Sequence, residues 1–558
     1  MQSLRLACVL VLVGLAVTGC SSGSGGSEFL SIVQTAPEDG QVEVPIETRV
    51  GFRVDQAIDP ATLTTQTFFL TDGDGTLVPS MVFVGDEPEI AELQPEEPLA
   101  VITDYTLTIT TALASTNGTA LEEDFQWTFK TLDSEWGISE WLEETGTGGA
   151  EEPQIAVDGQ SNALAVWEYA EPGRSRIWAN RYTRRDLWGD PVPIDAGDQQ
   201  SSRPQLAVDE PGNSFVVWEQ TQDGSEANIW SNRYTVDQGW GTAELLQTGE
   251  ITAARVPSIA ADPAGNAIAV WVQVDPDSNE ESVWASRYEP DAGWGAAASI
   301  DATTTPLAGR RTAVAMDSDG NAIAVWDRQT VGGDVLWANR YTAGSGWGTA
   351  QLIKDDPDTS ATGPRLSMGR GGDAVVVWAQ GDDTREDIWA VRFSGSTWEA
   401  PVRIDAYDDG NKNQPDVAVD GAGMAHAVWS QADPDFENIW AASYTPGSGW
   451  GTPELIEPPN EDPEEDGDAT VPRIGVNTAG NAFVVWRQVW DNWGSVWSNR
   501  LDPGTGWMTA ERIEDIRLAA KRPKIAVDEN RHAHAVWLHS SQSDQTGSTD
   551  WVRTNRFE

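Results

Sequence analysis

Three tryptophan series run through the chain from residue 136 onward, all at one interval. One follows Val: Trp167, Trp218, Trp271, Trp326, Trp378, Trp429, Trp486 and Trp537. A second mostly follows Ile, Val or Leu: Trp178, Trp230, Trp284, Trp337, Trp389, Trp440, Trp497 and Trp551. A third mostly precedes Gly: Trp136, Trp188, Trp240, Trp294, Trp347, Trp398, Trp450 and Trp507. Each series has eight members, spaced by 51–57 residues. A repeat near 50 residues, built of several short strands, marks a β-propeller, because one such unit must stack on a neighbour to bury its apolar faces.

The second unit gives the frame. Four strands are predicted there, at residues 204–208, 214–218, 229–234 and 240–246. The first two are joined by Asp209-Glu210-Pro211-Gly212-Asn213, a turn that recurs at Asp262 to Asn266 and Asp317 to Asn321. Its Gly supplies a positive φ and its Asp caps the turn. Links between units are longer and irregular, as at residues 457–470. This frame leaves the fourth-type strand at residues 136–142 without a unit, while the last unit ends on its third strand. The two ends therefore complete one blade. The expectation is an all-β chain whose residues 134–558 form an eight-bladed β-propeller of four-stranded blades, closed by a clasp. Most tryptophans then pack between blades. The turns lack the sialidase Asp-box, and WD and kelch signatures are absent, so the repeats are assigned to no propeller family.

Residues 29–132 read as about seven short alternating strands, which suits a β-sandwich. The turn Pro37-Glu38-Asp39-Gly40, then Val44-Pro45, the segment Asp59-Pro60-Ala61-Thr62-Leu63, and the strand Trp127 to Thr131 follow in order. This stretch resembles the bacterial Ig-like domain first described in surface-layer proteins. The resemblance implies a spacer or adhesion module without catalytic residues. Asp72-Gly73-Asp74-Gly75 reads as a hairpin turn, since a calcium loop wants further ligands at fixed spacing.

At the N-terminus, Arg5 precedes an apolar stretch from Leu6 to Val17, too short to span a bilayer comfortably. Val17-Thr18-Gly19-Cys20 follows, and resembles the lipobox of bacterial lipoproteins. The resemblance implies removal of residues 1–19, acylation of Cys20 and a membrane anchor through lipid, with residues 20–28 as a flexible linker. The expected location is the bacterial cell envelope, at the outer membrane or cell surface. The only other cysteine, Cys8, lies in the signal segment, so the mature chain is expected to have no disulfide and no thiol chemistry.

Net charge is −53, from 35 basic and 88 acidic residues, which opposes binding to nucleic acid. No nucleophile elbow, phosphate loop or zinc-helix motif occurs. Four histidines are present, at 426, 532, 534 and 539. His532 and His534 are two residues apart, an expected shared strand face. His426 and His534 read as replacements of alanine within a packed strand, so no metal site and no cofactor are expected. Links at one end of the blades vary in length and are acidic, as at residues 275–281, 382–387 and 433–437. Variable loops on a rigid scaffold are where recognition usually sits. At that end Arg203, Arg255, Arg311, Arg473 and Arg522 recur near the proline that opens the first strand. They read either as a cationic collar for an anionic ligand or as partners of the acidic loops. Three functions follow: a non-catalytic, monomeric envelope protein binding a glycan or protein ligand; an envelope glycan hydrolase; and a scaffold for other envelope proteins. The first is favoured, because anchor, stalk and missing catalytic motifs agree.

Overall fold

The computed structural model describes residues 29–557 apart from 45–47, 74, 86, 96–98, 100–102, 132–135, 144–147, 222–225, 248–252, 275–279, 302–310, 331, 355–358, 382–384, 406–409, 434–435, 458–466, 491–492, 515–518 and 541–549. Cys20, the signal segment, the linker, Pro45, Asp74 and much of the three acidic loops lie outside the described residues. The chain divides into two compact units, the first ending at residue 135 and the second spanning Trp136–Phe557.

The first unit holds two four-stranded sheets. One runs Ile32–Ala36, Val50–Val54, Ile90–Pro95, Ser80–Val84; the other runs Gln41–Val44, Phe125–Thr131, Asp104–Ile109, Phe68–Asp72. Period-2 alternation turns Trp127, Phe129 and Thr131 inward from one strand. Trp127 meets Phe52 and Phe68 in the core, with ring centroids 6.4 and 6.1 Å away. Asp39 ties the opening turn to the last strand by accepting from the Thr128 amide at 2.9 Å.

The second unit holds eight antiparallel sheets. Sheets one to seven each have three long strands in sequence order, for example Ser201–Val208, Ser214–Thr221 and Ala227–Thr235 in the second. The predicted fourth strand is broken into two short pieces. Gly239–Trp240 and Glu244–Leu245 both pair with Ala227–Thr235. The eighth sheet joins Ala520–Val527, Ala533–Ser540 and Asp550–Phe557 to Glu140–Trp141 from the start of the unit. Its register corrects one member of the second tryptophan series. Opposite Trp537 stands Arg553, where every other sheet has tryptophan; Trp551 sits two residues earlier, opposite His539. Arg553 lies over the Trp141 ring at 4.6 Å.

Four devices recur between successive sheets, the asparagine bond at five junctions and the glycine contact at six. First-series tryptophans, all fully buried, pack on the preceding sheet, as Trp429 does on Val375 and Val377. Five of them donate their indole N–H to a glutamine two residues on, as Trp218 does to Gln220 at 2.9 Å. An asparagine of the third strand donates across to the preceding sheet, as Asn232 does to the Ile194 carbonyl at 2.8 Å. An arginine beside it stacks on an aromatic ring of the following sheet, as Arg287 does over Tyr341 at 4.9 Å. The turn glycine rests on the preceding sheet's aspartate. Three of these devices also link the eighth sheet to the first. Trp167 packs on Val536, Leu538 and Val552; Asn180 donates to the Leu142 carbonyl at 3.1 Å; Arg556 lies over Tyr182 at 4.7 Å. The single gap in the arginine series is matched on both sides: Ser443 replaces the arginine of the sixth sheet, and Leu501 replaces the ring it would cover in the seventh. The first strands of successive sheets lie side by side, and Gly149–Val157 also lies against Ala520–Val527.

Gly212 shows why the turn needs glycine. Its φ is +97°, and a Cβ there would sit 2.4 Å from Asp158 Oδ2. Gly212→Ala is expected to lower unfolding free energy by about 2 kcal/mol or more. Gly239, also left-handed but with open space around it, isolates the backbone cost. Gly239→Ala is expected to cost about 1 kcal/mol in the same urea titration.

Candidate binding site at the loop-bearing end

Each of seven inner strands opens with a bulge at one position, seen as a register shift such as Ser202/Gln205. Proline causes it, because it has no N–H for the ladder. The residue before each proline takes a left-handed conformation: Glu152, Arg203, Val256, Gly363, Gln414, Val471 and Arg522 have φ of 49–61°. Six of these are not glycine, and each costs of order 1–3 kcal/mol. Strain repeated at one end of a scaffold is a reason to look there for function.

The five sequence-identified arginines part company here. Arg203 pairs with Glu219 at 3.1 Å, Arg255 with Glu281 at 2.5 Å, and Arg522 with Glu152. These three sit on the rim, each held by a carboxylate. Arg311 and Arg473 instead line a cavity of about 310 Å³ at the start of the inner strands, together with Arg365. Burial, then Arg365, pushes the Arg311 guanidinium below its usual range, against the pull of Asp327. Burial, then Arg365, lowers Arg473 to about 10, with Arg311 adding to the effect and Asp416 opposing it. Lys524 joins the same field: burial, then Arg473 and Arg365, pushes its amine down to about 7. Yet all of Arg365, Arg473 and Lys524 keep some contact with solvent. Among the described residues none of these four cations forms a salt bridge. Arg473 donates only to the Pro472 carbonyl, at 2.6 Å, and its Nε has no partner.

Arg365 and Lys524 were missed in the sequence. Aligned on the proline, they and Arg473 each follow it by one residue, whereas Arg203, Arg522 and the sequence-equivalent Arg311 precede that position. Alignment on proline separates Arg365, Arg473 and Lys524 from Arg203 and Arg522, but leaves Arg311, a cavity residue, at the rim position.

The opposite end of the inner strands is different. There Asp158, Asp209, Asp262, Asp317 and Asp528 surround a space of about 210 Å³. Their carboxylates are used by their own turns: Asp209 accepts from the Asn213 amide and side chain at 2.7 and 2.8 Å. Arg370, from the fifth sheet's turn, reaches Glu529 of the eighth at 2.9 Å and Glu210 of the second at 3.9 Å.

The histidines do not converge. His532 occupies the turn asparagine's position and bonds Asp528 at 2.7 Å, so it shares no face with His534. His426 meets Ser443 at 2.9 Å. The position held by His426 and His534 is not an alanine position: register places Leu164, Phe215, Ile268, Ile323, Val375 and Phe483 there, bulky groups that fill the space between sheets. Among the described residues no three acidic, histidine or cysteine groups are placed to hold a metal. Burial, then Arg556, pushes His534 down to about 3. In the unfolded chain it titrates near 6.5, so the unfolded state binds the extra proton between those values. Stability should therefore fall as pH drops from about 6.5 toward 3, by up to about 1.4 kcal/mol per unit from this group. His534→Phe, matching Phe215 and Phe483, should remove that contribution from the acid-unfolding curve.

Residues 27–131 match the bacterial Ig-like domain. In this Ig-like domain Asp39, Trp127 and Phe129 hold the turn and core described above. No curated protein matches the chain. Among solved structures, a polysaccharide lyase, an ulvan lyase, is 9% identical over 75% of this chain and 95% of its own, with a TM-score of 0.42. A protein of unknown function from Dyadobacter fermentans is 12% identical over 56% of this chain and 98% of its own, with a TM-score of 0.36. An α-L-arabinanase from Penicillium chrysogenum is 14% identical over 51% and 88%, with a TM-score of 0.35. Likenesses this distant assign no activity.

Proposed function

We propose that this is a bacterial cell-envelope binding protein: a chain anchored by lipid at Cys20, carrying an Ig-like domain and then an eight-bladed β-propeller that captures an anionic glycan or protein ligand at the loop-bearing mouth of its channel. The junction devices that recur around the sheets, and again between the eighth and the first, support the closed propeller. The Ig-like match supports a place at the cell surface. The observation that carries the binding reading is the arginine-lined cavity at the end bearing the variable loops, in a chain where carboxylates outnumber cations. Arg203, Arg255 and Arg522, already neutralised, support the rim rather than contact ligand.

The test is capture of labelled envelope glycans and proteins by the full chain. Arg311→Gln with Arg473→Gln should abolish most capture, and Asn213→Ala with Asn321→Ala, in the opposite turns, should leave it intact. Loss confined to the turn variants would overturn the choice of face. Cys20→Ser should move the protein from the membrane fraction to the soluble or unprocessed pool. A second reading, turnover of the bound ligand, would need a proton-transfer group; the candidate is Lys524, on the strand beside Arg473 and at the same position after the proline, with an amine that burial and then Arg473 push down to about 7. Release of product from a captured glycan, lost in Lys524→Met, would favour it over binding alone.

A further inference from the structure

The eight residues that follow the bulge position divide the channel wall in two. In the first four sheets they are Gln154, Gln205, Ser258 and Ala313; in the last four they are Arg365, Asp416, Arg473 and Lys524. One half is neutral, three of its four side chains able to hydrogen-bond; the other is charged. The charged half holds three cations, with Arg311 of the fourth sheet a fourth beside them; Asp416, Asp327 and Glu152 pull against their mutual repulsion without forming an ion pair with them among the described residues, and Asp416 Oδ2 accepts from the Ile474 amide at 3.2 Å.

Resting on the reading above, we propose that Arg311, Arg365 and Arg473, which line one cavity, with Lys524 on the strand beside Arg473, form a site for a compact ligand carrying two or more negative charges on oxygen. Three features lead there. The first is the surplus itself. Many other buried or half-buried arginines find carboxylates, as Arg176 does with Asp195 at 2.8 Å and Arg328 with Asp301 at 2.8 Å, or cover an aromatic ring, as Arg340 does over Phe393. In so acidic a chain, four cations gathered without an ion pair among the described residues raise the energy of the empty fold. A polyanion removes that repulsion, and guanidinium forks suit carboxylate, sulfate and phosphate oxygens alike. The second is size. About 310 Å³ lies at the lower end of small-molecule sites, enough for one acidic sugar or a small polyacid. The third is direction. Arg370, bound to Glu529, spans the turn end, so the ligand enters from the loop-bearing end.

The site is tested by calorimetric titration of the full chain with citrate, inorganic phosphate, inorganic sulfate and glucose 6-phosphate, against acetate and glucose. The multiply charged probes should bind, and their ranking separates carboxylate from phosphate or sulfate sources; acetate and glucose should give no measurable heat. Arg365→Gln and Arg473→Gln should each weaken the tightest probe by about tenfold or more. Arg185→Gln, at an exposed outer arginine, should change it less than twofold. A second readout separates a ligand site from a structural one. In anion-free buffer Arg365→Gln and Arg473→Gln should keep or raise the melting temperature, because like charges are relieved; a structural role would lower it. Binding of none of the probes, or equal loss in Arg185→Gln and Arg473→Gln, would overturn the site. If envelope capture survives in the Arg365→Gln, Arg473→Gln double variant, this site is wrong while the face stands; if capture fails only in the turn variants, the functional reading itself is wrong.

Discussion

Deleting Trp136–Glu143 should destabilise the repeat unit by about 5 kcal/mol or more and expose the last strand of the eighth sheet. The segment supplies that sheet's outer strand through Glu140–Trp141, against Thr554 and Arg553. It also buries Leu142, whose removal alone is worth about 2–5 kcal/mol. Glu143 accepts from the Trp167 indole at 3.2 Å and the Val552 amide at 2.9 Å, and the Ser139 carbonyl accepts from Arg553 at 2.7 Å. Without the segment, buried donors lose their acceptors, which costs about 1–3 kcal/mol each. An uncovered edge strand also templates aggregation. Melting followed by light scattering should show a large drop in midpoint and early aggregation. An unchanged midpoint would mean that the two ends do not hold each other.

Trp167→Ala should be the most damaging single tryptophan substitution at that junction, at about 3–5 kcal/mol. The ring is fully buried between the first and eighth sheets, and its loss leaves the Glu143 carboxyl, which burial already raises to about 7, with the Val552 amide but without its indole donor. Trp188→Ala is the comparison. Trp188 belongs to the third series, retains contact with solvent and packs against Tyr182 in a tilted arrangement, with ring centroids 5.7 Å apart. Its loss should cost about half as much or less. Urea unfolding of the pair gives the order. Equal costs would show that the buried series is not what joins the sheets.

The tryptophan period, the Asp-to-Asn turns and the orphan strand at residues 136–142 were legible in the sequence because each depends on neighbours within one unit. What was not legible depends on register. The outer strand looked continuous, but Gly241 sits between its two paired pieces, where its amide bonds the Arg233 carbonyl at 2.8 Å. Trp551 fitted the spacing of its series, yet the longer link before the last strand shifts pairing by two residues and puts Arg553 in place. His426 and His534 seemed to replace small residues because the strand was aligned without its partner. The site failed for a related reason. Arg311, Arg365, Arg473 and Lys524 follow one another at intervals of 54, 108 and 51 residues, one or two repeats each, and come near one another only because the first strands of successive sheets lie side by side. Charge pairing hides the distinction further: Arg203 and Arg473 are equivalent in composition, but Glu219 lies beside one and Asp416 is already occupied beside the other.

The most direct measurement is an anomalous difference map from a crystal of the full chain soaked in selenate, a doubly charged oxyanion with a strong signal. The expected result is a peak at the loop-bearing end, within hydrogen-bond distance of the Arg365 and Arg473 guanidiniums, that disappears in Arg473→Gln. A crystal with selenate bound elsewhere on the chain and this cavity empty, or a peak that survives Arg473→Gln unchanged, would contradict the account.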